Sequence, residues 1–84
     1  LQTPSQRIYH NARALLEEAT AELADIQRRL SLLPQDDNDP DVVASRATLA
    51  ELEDQVTSRV AKLTEDVLRA KKTLGALAEL ETPT

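Results

Sequence analysis

The sequence lacks cysteine, tryptophan, phenylalanine and methionine, and it has one glycine, one histidine and one aromatic residue, Tyr9. Without cysteine there is no disulfide and no thiolate metal site, and a single histidine cannot supply a zinc cluster. A core must therefore consist of leucine, isoleucine, valine and alanine, which suits close helix packing and argues against a compact β fold. The rarity of glycine favours long, uninterrupted helices. We expect no cofactor.

The charge and the length bound the class of protein. The net charge of −5 and the pI of about 4.7 disfavour a nucleic-acid partner. No apolar run approaches the ~20 residues that span a bilayer, and no signal peptide is recognisable, so we expect no membrane insertion and a cytoplasmic location. The 84 residues allow one domain, residues 1–84, and because the chain starts at Leu1 we expect it to be excised from a larger protein.

The first predicted helix, residues 4–33, has an apolar residue at the a and d positions of four successive heptads. Its start is a capping box with Thr3 as N-cap, Pro4 at the first helical position and Gln6 at the third. The regular seven-residue spacing is typical of a coiled-coil seam, which is narrower than the apolar stripe of a globular helix. The residues assigned to the seam of this helix are Tyr9, Ala12, Leu16, Ala19, Leu23, Ile26, Leu30 and Leu33.

A short acidic turn, residues 34–39, separates the two predicted helices. Pro34 ends the first helix because the residue before a proline is pushed out of the α region. Asp39 and Pro40 supply the N-cap and the first position of the second helix. A connection this short returns the second helix antiparallel to the first, as a helical hairpin.

The aspartates of this turn also match the opening of an EF-hand loop, because Asp37, Asp39 and Asp41 alternate. The positions that need a glycine and a bidentate glutamate hold Val42 and Thr48, which cannot fill those roles. We therefore interpret the aspartates as complementing the positive end of the second helix and keeping the turn soluble, with no metal site.

The second predicted helix, residues 40–81, carries its own seven-residue repeat. Leu52 is followed by Val56 and Val60, and this extra four-residue step predicts a stutter that relaxes the supercoil. Gly75 is a candidate C-cap, but good helix formers follow it, so we predict that the helix continues. The residues assigned to the seam of this helix are Val42, Leu49, Leu52, Val56, Val60, Leu63, Val67 and Ala70.

Folding the hairpin about the middle of the turn predicts which residues face each other. If the numbers of facing residues sum to roughly 74, Leu23 lies near Glu51 and Tyr9 near Glu65. The second helix then extends about ten residues past the first, and Leu74, Leu77 and Leu80 have no partner within the chain. Two helices also cannot enclose a core, and leaving a large aliphatic side chain in water forgoes ~1.5–3 kcal/mol of burial.

This surplus of apolar surface predicts association. A contiguous apolar strip on a soluble domain is typical of an interaction surface, and the simplest arrangement is a two-fold homodimer that forms a four-helix bundle. The function predicted is a protein–protein interaction module that dimerises or positions a larger protein. The alternative is an adaptor or chaperone-like hairpin that binds a helix or a small GTPase of another protein. The predicted partner-binding residues are Ile8, Leu15, Leu68, Leu74, Leu77 and Leu80.

The sequence offers no catalytic constellation, so we expect no enzyme activity. His10 falls at an outward-facing b position, and the carboxylate neighbours Glu17 and Glu18 point in different directions on a helix. Ser45, Thr57 and Ser58 have no histidine within plausible reach to act as a base. A helix lying on a lipid surface would need aromatic anchors and a basic polar face, which this acidic chain does not have.

Overall fold

A computed structural model describes the backbone of residues 3–81 and the side chains of residues 3–76. It contains the α-helices α1 (Pro4–Leu32) and α2 (Pro40–Glu81), which a turn of residues 33–39 connects. The two helices pack against each other in a thin hairpin of 68 × 20 × 14 Å. The prediction of an all-α helical hairpin is confirmed.

The capping box predicted at the start of α1 is present. The hydroxyl of Thr3 accepts a hydrogen bond from the backbone N–H of Gln6 at 3.2 Å, and the Thr3 N–H donates to the side-chain oxygen of Gln6 at 2.9 Å. Pro4 occupies the first turn, where its missing N–H leaves no helical bond unmade. At the other end, Leu33 adopts an extended conformation immediately before Pro34, so α1 ends at Leu32.

The carboxylates of the turn bind backbone N–H groups. Asp39 Oδ1 accepts a hydrogen bond from the Asp41 N–H at 2.9 Å, and Asp37 Oδ1 accepts one from the Asp39 N–H at 2.9 Å. These bonds satisfy donors that the start of α2 would otherwise leave without a partner. The guanidinium of Arg46, one and a half turns into α2, donates to the carbonyl of Pro34 and holds the turn against the helix.

Burial along α2 follows an uninterrupted seven-residue repeat. Val56, which is 1% exposed, is the most buried residue of the hairpin and lies with Ala19 and Ile26 of α1 in its core. Most half-buried residues of α2 recur, with Val56, at alternating steps of four and three, and these are Val42, Arg46, Leu49, Glu53, Val60, Leu63, Val67, Ala70 and Leu74. Asp66, beside Val67, is also half-buried but lies outside this repeat. In α1 the half-buried residues include Tyr9, Ala12, Leu16, Leu23 and Leu30, and Leu33 just after the helix is half-buried as well.

The assignment of Leu52 to the seam, and with it the stutter, is wrong. Leu52 is 40% exposed, whereas Glu53 beside it and Arg46 one heptad earlier are half-buried. Long charged side chains place their aliphatic stems on apolar surface and keep the charged group in water. The seven-residue repeat of buried positions therefore continues through Arg46 and Glu53, although both are charged. The sequence pattern misplaced the seam because Leu52 is the nearest apolar residue to the position that Glu53 holds.

Glu53→Leu is expected to stabilise the hairpin. Leucine at this half-buried position would complete the apolar repeat, which should add about 1 kcal/mol to the free energy of unfolding and raise Tm by about 4–8 °C. Thermal unfolding followed by circular dichroism measures the effect. The exposed Gln55→Leu on the same helix is the control, and its change should stay within about 0.5 kcal/mol. A destabilised Glu53→Leu variant would show that this position is not part of the seam.

The pairing of the two helices differs from the predicted register by one heptad. Glu22 of α1 forms an ion pair with Arg59 of α2. Folding the hairpin about the middle of the turn had predicted that Leu23, the neighbour of Glu22, lies near Glu51. Because residues 33–39 are outside a helix and an extended residue advances ~3.3 Å against 1.5 Å for a helical one, the turn runs alongside the first two turns of α2. The surplus length of α2 therefore lies mainly at the turn, and Leu74 is half-buried rather than unpartnered.

The predicted continuation of α2 through Gly75 is confirmed, since the helix runs to Glu81. Apart from its two chain neighbours and the backbone of its own helix, a Cβ atom built on Gly75 would meet no atom within 4 Å, so packing does not require a glycine there.

Gly75→Ala should therefore stabilise the hairpin by about 0.5–1 kcal/mol, because alanine loses less conformational entropy in a helix. Urea unfolding with an unchanged slope is the measurement. A loss of stability would indicate that the glycine accommodates a contact made only in an assembly.

Candidate interaction surface

An apolar groove runs between the helices on one side of the hairpin, near the start of α1. Its floor consists of Ala12 and Ala70, and Ile8 and Leu15 stand at its edge. Ile8 is 62% exposed and Leu15 is 53% exposed. The groove has a volume of about 450 Å³, and its polar rim consists of Ser5, Asn11, Asp66, Arg69 and Thr73. We call this the Leu15 groove.

The small alanines create this groove. Ala12 and Ala70 lie at positions of the seven-residue repeat that face the opposite helix, where leucine or valine would fill the space between the backbones. Ile8 and Leu15 precede Tyr9 and Leu16 in the sequence, at the g positions that flank such a contact. They therefore project beside the interface between the helices, where α2 does not cover them.

A second depression, of about 190 Å³, adjoins the Leu15 groove on the side nearer the turn. Leu15, Ala19 and Leu63 line it, together with Glu22 and Arg59, whose oxygen and nitrogen are 3.0 Å apart. Leu15 therefore stands as a ridge between two hollows. A surface with a ridge beside a hollow can fit a second copy of itself, as packing of ridges into grooves requires.

Leu68 lies on the other side of the interface between the helices. It is 61% exposed and lines a shallow groove with Tyr9, Leu16 and Lys71. The structure thus brings Ile8 and Leu15 together and separates Leu68 from them. Of the remaining predicted partner-binding residues, Leu74 is half-buried, and the side chains of Leu77 and Leu80 lie outside the described residues.

Two further exposed apolar residues, Leu32 and Val43, lie near the turn. Leu32 was not among the predicted partner-binding residues. The sequence does allow its exposure to be inferred, because Leu32 holds the outward-facing c position directly before the seam residue Leu33. The two residues belong to opposite ends of the turn, one at the end of α1 and one at the start of α2.

The ion pairs of the hairpin are exposed and contribute little each. Asp25 pairs with Arg28 at 2.7 Å and with Arg29 at 3.1 Å. The hydrogen bond from Arg28 lowers the pKa of Asp25 below its ordinary value, partial desolvation opposes this, and the charges of Arg29 and Arg28 add to the lowering. Because its pKa is lowered by folding, Asp25 stabilises the hairpin above the ordinary aspartate pKa, and this contribution is lost as the pH falls through the lowered value.

The residues considered for catalysis and metal binding are placed as follows. His10 is exposed, with its ring edge-on to Tyr9 at 5.6 Å between centroids. The hydroxyl residues Ser45, Thr57 and Ser58 are all exposed on α2. Among the described side chains there is no group of three histidine or carboxylate residues placed to hold a metal ion. Over the same part of the chain, neither helix has a stretch apolar enough to cross a bilayer.

Comparison with known proteins gives no relative. No protein-family model matches the sequence, and no curated protein and no solved structure shows significant similarity to it.

Proposed function

With no relative to supply a function, we propose that this hairpin is a non-catalytic interaction module that self-associates as a homodimer and so dimerises or positions a larger protein. The observation that carries the proposal is the Leu15 groove, in which Ile8 and Leu15 remain more than half exposed beside an apolar floor. Apolar surface of this kind, bordered by polar residues, is typical of a protein-binding site. The dimer would combine four helices in a bundle with coiled-coil packing.

Burial of the exposed apolar side chains would offset part of the free-energy cost of dimerisation. Full burial of such a side chain is worth ~1.5–3 kcal/mol, and Ile8 and Leu15 each have about half of their surface still to bury. Covering these two residues in both copies would therefore gain roughly 3–6 kcal/mol. Association costs at least ~4 kcal/mol in lost translational and rotational freedom. These four side chains alone do not account for a micromolar dissociation constant, which needs about −8 kcal/mol. The alanine floor and the aliphatic stem of Arg69 on the rim must supply the remaining buried area.

Thermal unfolding at several protein concentrations tests the proposal. If the folded chain is a dimer and the unfolded chain a monomer, mass action makes Tm rise with protein concentration. A Tm independent of concentration, with full helicity in every sample, would contradict self-association. That result would leave the alternative, a hairpin that presents the Leu15 groove to a helix of a different protein.

A further inference from the structure

The negative charge of the hairpin is concentrated at one end. Because Glu22 faces Arg59, the described part of the hairpin divides across its length into a turn half, residues 21–61, and an open half, residues 3–20 and 62–81. The turn half contains nine acidic and four basic residues, whereas the open half contains six of each. The whole net charge of −5 therefore lies in the turn half, and the open half is neutral.

The exposed apolar surface beside the seam of α1 has the opposite distribution. Ile8 and Leu15 both belong to the open half, and the next residues at the same seven-residue spacing are Glu22 and Arg29. Glu22 is paired with Arg59 and Arg29 with Asp25, so charged groups replace apolar ones where the turn half begins. The neutral half carries the Leu15 groove, and the acidic half does not extend it.

We infer that two copies join through their open halves only, with their acidic turns pointing to opposite ends of the dimer. This rests on the proposed self-association and specifies its geometry. The two-fold axis crosses the long axis of the hairpin between Ile8 and Leu15, so that α1 packs antiparallel on α1 of the second copy. Ile8 of each copy then meets Leu15 of the other across the small Ala12, which lets the helices approach closely.

The alternative two-fold arrangement places the hairpins side by side with both turns at the same end. Each turn half carries five net negative charges, and juxtaposed like charges across an interface oppose association. With the turns at opposite ends their separation far exceeds the ~8–10 Å over which salt screens charges at physiological ionic strength. Electrostatics therefore select the arrangement that overlaps the neutral halves.

The open half is large enough to form such an interface. Half of the 68 Å length times the 20 Å width is roughly 700 Å², close to the ~800 Å² that each partner contributes to a standard protein interface. Overlap of the turn halves is not needed to reach this area.

Distances between spin labels test the geometry, because the chain has no cysteine of its own and one can be introduced at any exposed site. Asn38→Cys labels the turn, and Ala14→Cys labels the outer surface of α1 in the open half; both native residues are exposed. At 1.5 Å per helical residue the turn lies about 40 Å from the axis, so the Asn38→Cys labels of a dimer should be about 80 Å apart. The Ala14→Cys labels should lie within about 25 Å, as expected for helices that pack 8–10 Å apart.

The possible results separate the geometry from the association. A short distance for Ala14→Cys with a long one for Asn38→Cys supports the inference. A distance of about 20 Å between the Asn38→Cys labels overturns it while leaving the dimer intact, since side-by-side hairpins bring the turns as close as packed helices. Absence of dipolar coupling from both labels, with helicity retained, would overturn the dimer itself and with it the proposed function.

Discussion

Leu15→Glu is expected to raise the dissociation constant of the homodimer at least ~100-fold without unfolding the hairpin. Leu15 is the ridge between two hollows and is 53% exposed in the single hairpin, so more than half of its surface already faces water and the hairpin should tolerate a polar residue there. In a dimer the substitution removes an apolar contact and buries a carboxylate. Two-fold symmetry repeats the cost in both copies, so about 1.5 kcal/mol at each Leu15 becomes about 3 kcal/mol for the dimer.

Leu68→Glu is the matched control for this prediction. Leu68 is 61% exposed and lines the groove on the other side of the hairpin, so it has the same residue type and a similar exposure but lies off the proposed interface. The free energy of dissociation of this variant should change by less than about 0.5 kcal/mol. Dissociation constants of both variants can be measured by sedimentation velocity over a dilution series. If Leu68→Glu weakens the dimer and Leu15→Glu does not, the opposite side of the hairpin is the interface.

Val56→Ala is expected to lower the free energy of unfolding by about 2 kcal/mol and Tm by about 10 °C. Val56 is 1% exposed and lies in the small core with Ala19 and Ile26, so removing its two methyl groups leaves a cavity. Two helices have few buried side chains in total, and a chain of 84 residues has little stability in reserve. The loss caused by Val56→Ala should therefore be a large fraction of the total free energy of unfolding.

Val43→Ala removes the same two methyl groups from an exposed position of the same helix. Its effect on urea unfolding should stay within about 0.5 kcal/mol. Equal losses for Val43→Ala and Val56→Ala would show that the hairpin does not have its core at Val56.

The helix boundaries were predictable because local chemistry sets them. Thr3, Pro4 and Gln6 form a capping box in any context that allows a helix to follow, and Pro34 forbids the helical conformation at Leu33. Asp39 likewise accepts the hydrogen bond that its position before Pro40 predicts. Each of these signals involves residues within three or four positions, so the sequence alone contains the whole interaction.

The register between the helices was not predictable in the same way. It depends on the path of residues 33–39, where an extended chain covers more distance per residue than a helix, and on the tie between Arg46 and the carbonyl of Pro34. Neither feature can be inferred from the spacing of the apolar residues. The half-burial of Arg46 and Glu53 was hidden for a related reason, because their hydrocarbon stems occupy seam positions while their charges reach water.

The candidate site was predictable in part. The positions of Ile8 and Leu15 just outside the seam predicted that they project from the hairpin, and the structure places both at one groove. The side of the hairpin on which Leu68 lies was not predictable, because it depends on the register between the helices and on the position of the seam of α2. The role of Ala12 and Ala70 as a common floor could not be read from either helix alone, because the two alanines come together only when the helices pair.

Sedimentation equilibrium of the 84-residue chain at tens of micromolar measures whether the hairpin pairs with a second copy of itself. Two hairpins joined at the Leu15 groove predict a mass of twice 9.3 kDa, falling toward 9.3 kDa on dilution. A mass of 9.3 kDa at every concentration, from a chain that retains the helicity of α1 and α2, would contradict the claim that the hairpin completes its packing with a second copy of itself.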